Sequence, residues 1–202
     1  MSKAVMLSIR PKWCEKIASG EKTIEVRKTR PKLETPFKCY IYCTSVKSMN
    51  LQDYVDAISS AAAVDDWSGK VIGEFMCCAT IPISVEYSDP SHRIAGMTDK
   101  QIIDYLGNGK MGYGWLILDL KIYDNPQELS KFRVEDKPAI KACKHRFRAG
   151  QPEYVARHGG WLQGGWGCMK NGEPEWCENC LTKPLTRPPQ SWCYVEAMND
   201  GN

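Results

Sequence analysis

Apolar residues along this 202-residue chain fall into short blocks, some alternating and some spaced by three and four. Ala4 to Ile9 is an apolar run that predicts a strand. Pro11 then suits the first turn of a helix, because its missing N–H is one a helix leaves without a partner there. The helix runs to about Ser19 with Cys14, Ile17 and Ala18 at helical spacing, and Gly20 fits the left-handed position past its end. That spacing makes Cys14 a core residue before a reactive thiol. Lys22 to Lys28 alternates, sending Ile24 and Val26 to one face and Thr23, Glu25 and Arg27 to the other. After the turn-forming stretch Leu33-Glu34-Thr35-Pro36, Phe37 to Thr44 predicts a second strand with Cys39 and Cys43 on a common face.

Met49 to Ala63 predicts a helix, with Leu51, Tyr54, Val55 and Ile58 on one stripe, ending in the polar turn Asp65 to Gly69. Lys70 to Tyr87 is a long β-rich run in which Pro82 marks an edge or bulge and Cys77 and Cys78 face opposite sides. Thr98 caps a short helix through Leu106, and Gly107-Asn108-Gly109 forces a turn. Tyr113 to Tyr123 predicts a strong strand, and Asn125-Pro126 a brief helical turn ending near Phe132. Beyond Gly150 the chain turns rich in Gly, Trp, Cys and Pro until Ser191, where the stretch SWCYVEA predicts a closing strand. There is no internal repeat. Many short strands with two or three helices predict an α+β fold around a small β-barrel.

Hydrophobic residues at 43% and charged residues at 25% are ordinary soluble usage, which excludes fibrous and disordered classes. No apolar run nears the roughly 18 residues of a membrane span, and the first residues lack the pattern of a signal peptide, so the cytoplasm is the expected compartment. In a reducing compartment, ten cysteines read as buried apolar residues or metal ligands. The formal charge of +3 hides segregation: residues 1–38 hold ten Lys/Arg against four Asp/Glu, and residues 131–148 seven against two. Such clustering either builds a basic surface that attracts phosphates or forms two separate solvated segments.

The segment Leu7 to Arg27, LSIRPKWCEKIASGEKTIEVR, resembles the opening of ASCH domains: a strand, an Arg-Pro-initiated helix and the motif Gly-x-Lys-x-x-Glu-x-Arg. Here the motif is Gly20, Lys22, Glu25 and Arg27. Val71 to Phe75, Tyr113 to Phe132 and Arg187 to Glu196 also resemble a bacteriophage and prophage ASCH group. The resemblance implies a PUA-like β-barrel spanning residues 1–134 together with 187–197, and a cleft at the motif for RNA or a modified nucleoside. In such a cleft Lys22 offers a compact cation, and Arg27 a planar fork for phosphate or base. Glu25 would accept from a base amino group or hold Arg27. Trp13, Tyr113 and Trp115 are the candidate stacking surfaces, and Ser8 and Arg10 complete the rim. The bland alternatives are a surface ion pair between Glu25 and Arg27, and core roles for Trp13 and Trp115.

Some small ASCH proteins are amidohydrolases that release the acetyl group of N4-acetylcytidine, and the group is also linked to ribonuclease activity. An alternative reading is therefore a hydrolase, with Lys22 and Glu25 as catalytic candidates. In the amidohydrolases the motif resembles Lys-x-x-Thr-x-Arg with Thr as nucleophile, and here Glu25 stands in the Thr position. A carboxylate serves there as a general base for water rather than as a hydroxyl nucleophile. Asp99, Asp104 and Glu74 are candidates for a further acidic partner.

Residues 135–186 read as a Cys-, Trp- and Gly-rich appendage. Cys177 and Cys180 are spaced so that two thiolates can close on one tetrahedral ion. With Cys143 and Cys168 they form a candidate structural zinc site, which would order a segment with little apolar patterning. Cys193, His145 and His158 are other candidates for the fourth ligand. Reduced buried thiols or a Cys168–Cys177 disulfide are the alternatives. A third functional class is a zinc-stabilised protein-interaction module presenting Trp161, Trp166 and Trp176.

Overall fold

The structure, a computed structural model, describes residues 3–45, 64–84, 96–136, 138, 147–148, 166–170, 173–175 and 182–198. It divides into two compact units, Met1–Phe132 with Thr186–Asn202, and Arg133–Leu185.

In the first unit, strand β1 (Lys3–Ile9) leads into helix α1 (Pro11–Ala18), strand β2 (Ile24–Arg27) and strand β3 (Phe37–Cys43). Pro11 stands at the helix start, and Gly20 takes φ +77° just past its end, as the sequence predicts. Helix α2 (Val64–Trp67) occupies part of the predicted polar turn 65–69, and a Trp67 carbonyl bonded to Lys70 N closes it. The predicted helix 49–63 lies outside the described residues. Strand β4 (Val71–Ile83), helix α3 (Asp99–Leu106), strand β5 (Gly112–Gln127) and a 3₁₀ turn (Leu129–Lys131) follow. Thr98 caps α3 in a reciprocal capping box with Gln101.

These strands and the closing strand β11 (Trp192–Glu196) make one six-stranded sheet in the order β11-β1-β3-β4-β5-β2. β1 pairs antiparallel with β11 and parallel with β3, so β1 is central in the sheet, and Ala4 to Leu7 are fully buried. The fold class is α+β, as expected, but the ladder is open. Among the described residues no backbone pairing joins β2 to β11. Strands lie about 4.8 Å apart, so a flat sheet would hold these edges five such steps from each other. Instead side chains bridge them. Trp192 Nε1 donates to Thr29 Oγ1 at 3.0 Å, the Lys32 amide donates to the Tyr194 hydroxyl at 2.8 Å, and Arg27 donates to Ser191. The sheet is therefore curled, and its seam is stitched by side chains.

Bulges in β4 produce part of the curl. At Gly73 a Cβ would collide with the Lys121 carbonyl, so glycine permits the close approach of β5. At Gly114 a Cβ would stand 2.8 Å from Ile24 Cγ2, so glycine makes room for the β2 side chain that crosses it. β5 runs four residues beyond Tyr123, through Asn125-Pro126, so the expected helical turn starts later, as the 3₁₀ turn Leu129–Lys131, and ends at Phe132 as predicted. Between the pairs Gly73↔Ile122 and Val71↔Gln127 the register breaks, and Pro126, which has no N–H to donate, falls in that break.

The main core gathers Val5, Leu7, Ile17, Ile41, Phe75 and Trp115 between α1 and the sheet's inner face. Cys14, Cys39, Cys43 and Cys77 lie within it. Burial pushes the Cys14 and Cys39 thiols well up and that of Cys77 to about 12, so they behave as core residues. A second cluster, Ile24, Val26, Ile83, Ile102 and Leu106, fills the space beneath α3.

The second unit carries an antiparallel pair, β6 (Arg133–Glu135) with β10 (Thr182–Pro184), and a small sheet of β7 (Phe147–Arg148), β8 (Trp166–Lys170) and β9 (Glu173–Glu175). Arg133 Nε and Nη2 donate to Oγ1 and the carbonyl of Thr182, each at 2.8 Å. Of the expected zinc ligands, Cys143, Cys177 and Cys180 lie outside the described residues, and Cys168 lies on β8. Among the described residues, no group of three or more His, Cys, Asp or Glu side chains is placed to hold a metal. Among them, too, no helix is long and apolar enough to cross a membrane.

Candidate functional site

β2 is buried on both faces, and only one face is apolar. Ile24 and Val26 point under α3, as the alternation predicts, while Glu25 and Arg27 share the opposite face. In the antiparallel register Glu25 stands across from Trp115 and Arg27 across from Tyr113. Lys22 reaches the same locus by another route. Its amide donates to the Lys16 carbonyl at 2.8 Å, closing the turn after α1, and its side chain passes the Trp13 ring with Nζ 5.2 Å from the centroid.

The three charges form one linked cluster. Lys22 Nζ lies 3.5 Å from Glu25 Oε2, and Arg27 Nη2 lies 3.0 Å from Glu25 Oε1. Lys22 is 2%, Glu25 6% and Arg27 5% exposed, and they are the only buried charged side chains among the described residues. Burial pushes the Lys22 ammonium below its ordinary value, with Glu25 opposing the shift. One carboxylate against two cations leaves the cluster with an excess of positive charge.

Arg27 also ties the sheet's edges to its centre. Its Nη2 donates to the Ser8 carbonyl at 2.8 Å, and its Nη1 to the carbonyl and hydroxyl of Ser191 at 3.2 and 3.3 Å. Two donors on this face have no partner among the described residues: Arg27 Nε and Trp115 Nε1, both buried. A buried donor without an acceptor costs roughly 1–3 kcal/mol, so these two set this face apart from the hydrogen-bonded rest of the sheet.

The other predicted residues occupy varied settings. The Ser8 hydroxyl donates to the Pro189 carbonyl at 2.6 Å, so Ser8 serves the site through its backbone. Arg10 is exposed, and its carbonyl accepts from the first turn of α1. Trp13 and Tyr113 are half-buried, each with a cation over its ring. Trp115 is fully buried, with Phe37 edge-on at 5.7 Å and Trp192 at 6.1 Å between ring centroids, so it forms a wall of the site rather than an open stacking surface. Asp99 and Asp104 are exposed on α3. Glu74 is held by Lys38 at 3.3 Å and the Tyr123 hydroxyl at 2.7 Å. Ser191 and Trp192, absent from the predicted site, are drawn into it by the seam. Their only signal in the sequence is their place in the stretch RPPQSWCYVE.

No protein-family model and no curated protein matches the chain. Among solved structures it is similar to the ASCH protein of Zymomonas mobilis, at 21% identity and a TM-score of 0.45, over 62% of this chain and 73% of that one. A tyrosine-to-phenylalanine mutant of that protein gives 20% identity and a TM-score of 0.46, over 63% and 77% of the two chains. A serine-to-alanine mutant gives 19% and 0.44, over 72% and 82%.

Proposed function

We propose that this chain is a binding module for RNA or a modified nucleoside, with the ligand held at Lys22, Glu25 and Arg27. The observation that carries the reading is the burial of three linked charges beside two partnerless donors. Clusters of this kind are costly to fold and are concentrated at functional sites. A nucleobase edge, with carbonyl acceptors and amino donors, matches a set made of one carboxylate and several N–H groups. Trp13 and Tyr113 offer ring surfaces beside it. Binding is favoured over hydrolysis because both Glu25 oxygens are engaged by cations and no hydroxyl stands in the nucleophile position of the motif.

The test is fluorescence anisotropy of a short labelled single-stranded RNA, with wild type and Lys22→Ala, over a range of salt. Affinity that falls with salt and is lost in the variant is the expected result. Equal affinity of the two proteins would remove the site from the motif. Release of cytidine from N4-acetylcytidine by wild type, absent in Lys22→Ala, would move the reading to the hydrolase class.

The zinc site of Cys143, Cys168, Cys177 and Cys180 is a separate proposal that rests on their spacing. Protein purified without added zinc is expected to carry about one zinc per chain, and metal-free protein would discard the site.

A further inference from the structure

Beyond β2 the chain continues as Lys28-Thr29-Arg30-Pro31-Lys32, a basic loop that none of the motif residues explains. It borders a cavity of about 420 Å³ lined by Arg30, Pro31, Lys32, Leu33, Phe37 and Thr80. That volume falls within the roughly 300–1,000 Å³ of small-ligand sites. The lining is divided by chemistry. Arg30 and Lys32 are exposed cations at the rim, while Pro31, Leu33 and Phe37 give an apolar floor. No acidic side chain lines it among the described residues.

The loop is held in place. The Lys32 amide donates to the Tyr194 hydroxyl, so the Lys32 side chain projects from a fixed backbone. The Arg30 guanidinium lies 5.3 Å from the centroid of the Tyr113 ring, with Nη1 3.5 Å from Thr80 Oγ1. Two of its lining residues touch the β5 neighbours of the charged cluster: Arg30 lies over Tyr113, which pairs with Arg27, and Phe37 packs edge-on against Trp115, which pairs with Glu25. Arg30 lies three positions after Arg27, a reach of at most about 11 Å.

We propose that this cavity is a second subsite, taking the phosphate-bearing nucleotide next to the base held at Lys22, Glu25 and Arg27. The ligand is then a single-stranded RNA and not a free nucleoside. Arg30 and Lys32 grip the phosphodiester, and Leu33 and Phe37 receive the apolar surface of the sugar or base. This inference rests on the reading of the charged cluster as an RNA or nucleoside site.

The experiment compares wild type, Lys22→Ala and the double variant Arg30→Ala/Lys32→Ala for binding a short mixed-sequence single-stranded RNA across a salt series. Both side chains of the double variant are exposed, and an unchanged melting temperature shows that it is folded. The double variant is expected to lose roughly tenfold or more in affinity. Its slope of log affinity against log salt should shrink by about 0.7 for each phosphate contact removed. If Lys22→Ala weakens binding and the folded double variant does not, the subsite is overturned and the motif reading stands. If only the double variant weakens binding, the cavity stands as a phosphate site and the motif reading falls. RNA that binds neither wild type nor the variants overturns both.

Discussion

The two faces of β2 lie on the same four residues and are equally hidden from water, yet they are held by opposite physics. Ile24 and Val26 bury hydrocarbon under α3 against Ile83, Ile102 and Leu106, a contact that strengthens the fold with every methylene removed from water. Glu25 and Arg27 bury charge, and with Lys22 they close a cluster whose attraction must offset the loss of hydration of three ions. One face is explained by stability. The other bonds β2 to Ser8 and Ser191 through Arg27 and carries the proposed ligand site.

The largest effect expected from breaking this contrast is at Glu25. Glu25→Ala leaves two buried cations without their shared carboxylate and should destabilise the protein by about 3–5 kcal/mol, read from urea denaturation. On the apolar face, Ile102→Ala should cost about 2–5 kcal/mol through a cavity under α3. At a temperature where the variant is folded, its RNA affinity should equal that of wild type in anisotropy. A loss of affinity there would show that the two faces are coupled.

Lys22→Met should sharpen the contrast in the opposite direction. It removes a cation whose burial outweighs its pairing and should raise stability by roughly 1 kcal/mol while abolishing RNA binding. The pH dependence follows from the same shift. The folded value of Lys22 lies below the ordinary 10.5, so between the two the unfolded chain holds more protons and stability rises with pH. Denaturation curves of wild type should show this gain as pH climbs toward 10.5, and Lys22→Met should lack it. The smallest expected effect is at the rim of α3, where Thr98→Ala removes a cap worth about 1 kcal/mol without touching either face, read from thermal melts.

Local signals in the sequence carried much of the fold. Pro11 and Gly20 bracket α1, the alternation from Ile24 to Arg27 assigns both faces of β2, and SWCYVEA closes the sheet, because in each case neighbouring residues decide the conformation. What escaped the sequence depends on distant partners. Simple alternation puts Lys22 on the Ile24 face and leaves its place to the turn after Gly20; that turn, bonded to Lys16, carries the side chain to Glu25. Arg27 is separated from Ser191 by 164 positions, and no periodicity connects them. The continuation of β5 through Pro126 depends on a register break in β4, a property of two strands that neither segment shows by itself. The core reading of Trp115 is borne out, while the partners that close over it, Phe37 and Trp192, lie far from it in the sequence.

The pairing of β1 with β11 has a consequence for how the protein is made. β1 is translated well before the strand that covers one of its edges, which arrives only with residues 192–196. Until then, the apolar stretch Ala4 to Leu7 presents an unpaired edge, the kind of template on which nascent chains associate. A ribosome stalled before Trp192 would hold a chain with its site residues translated and its sheet unfinished. Such a product would call on chaperones to cover that edge.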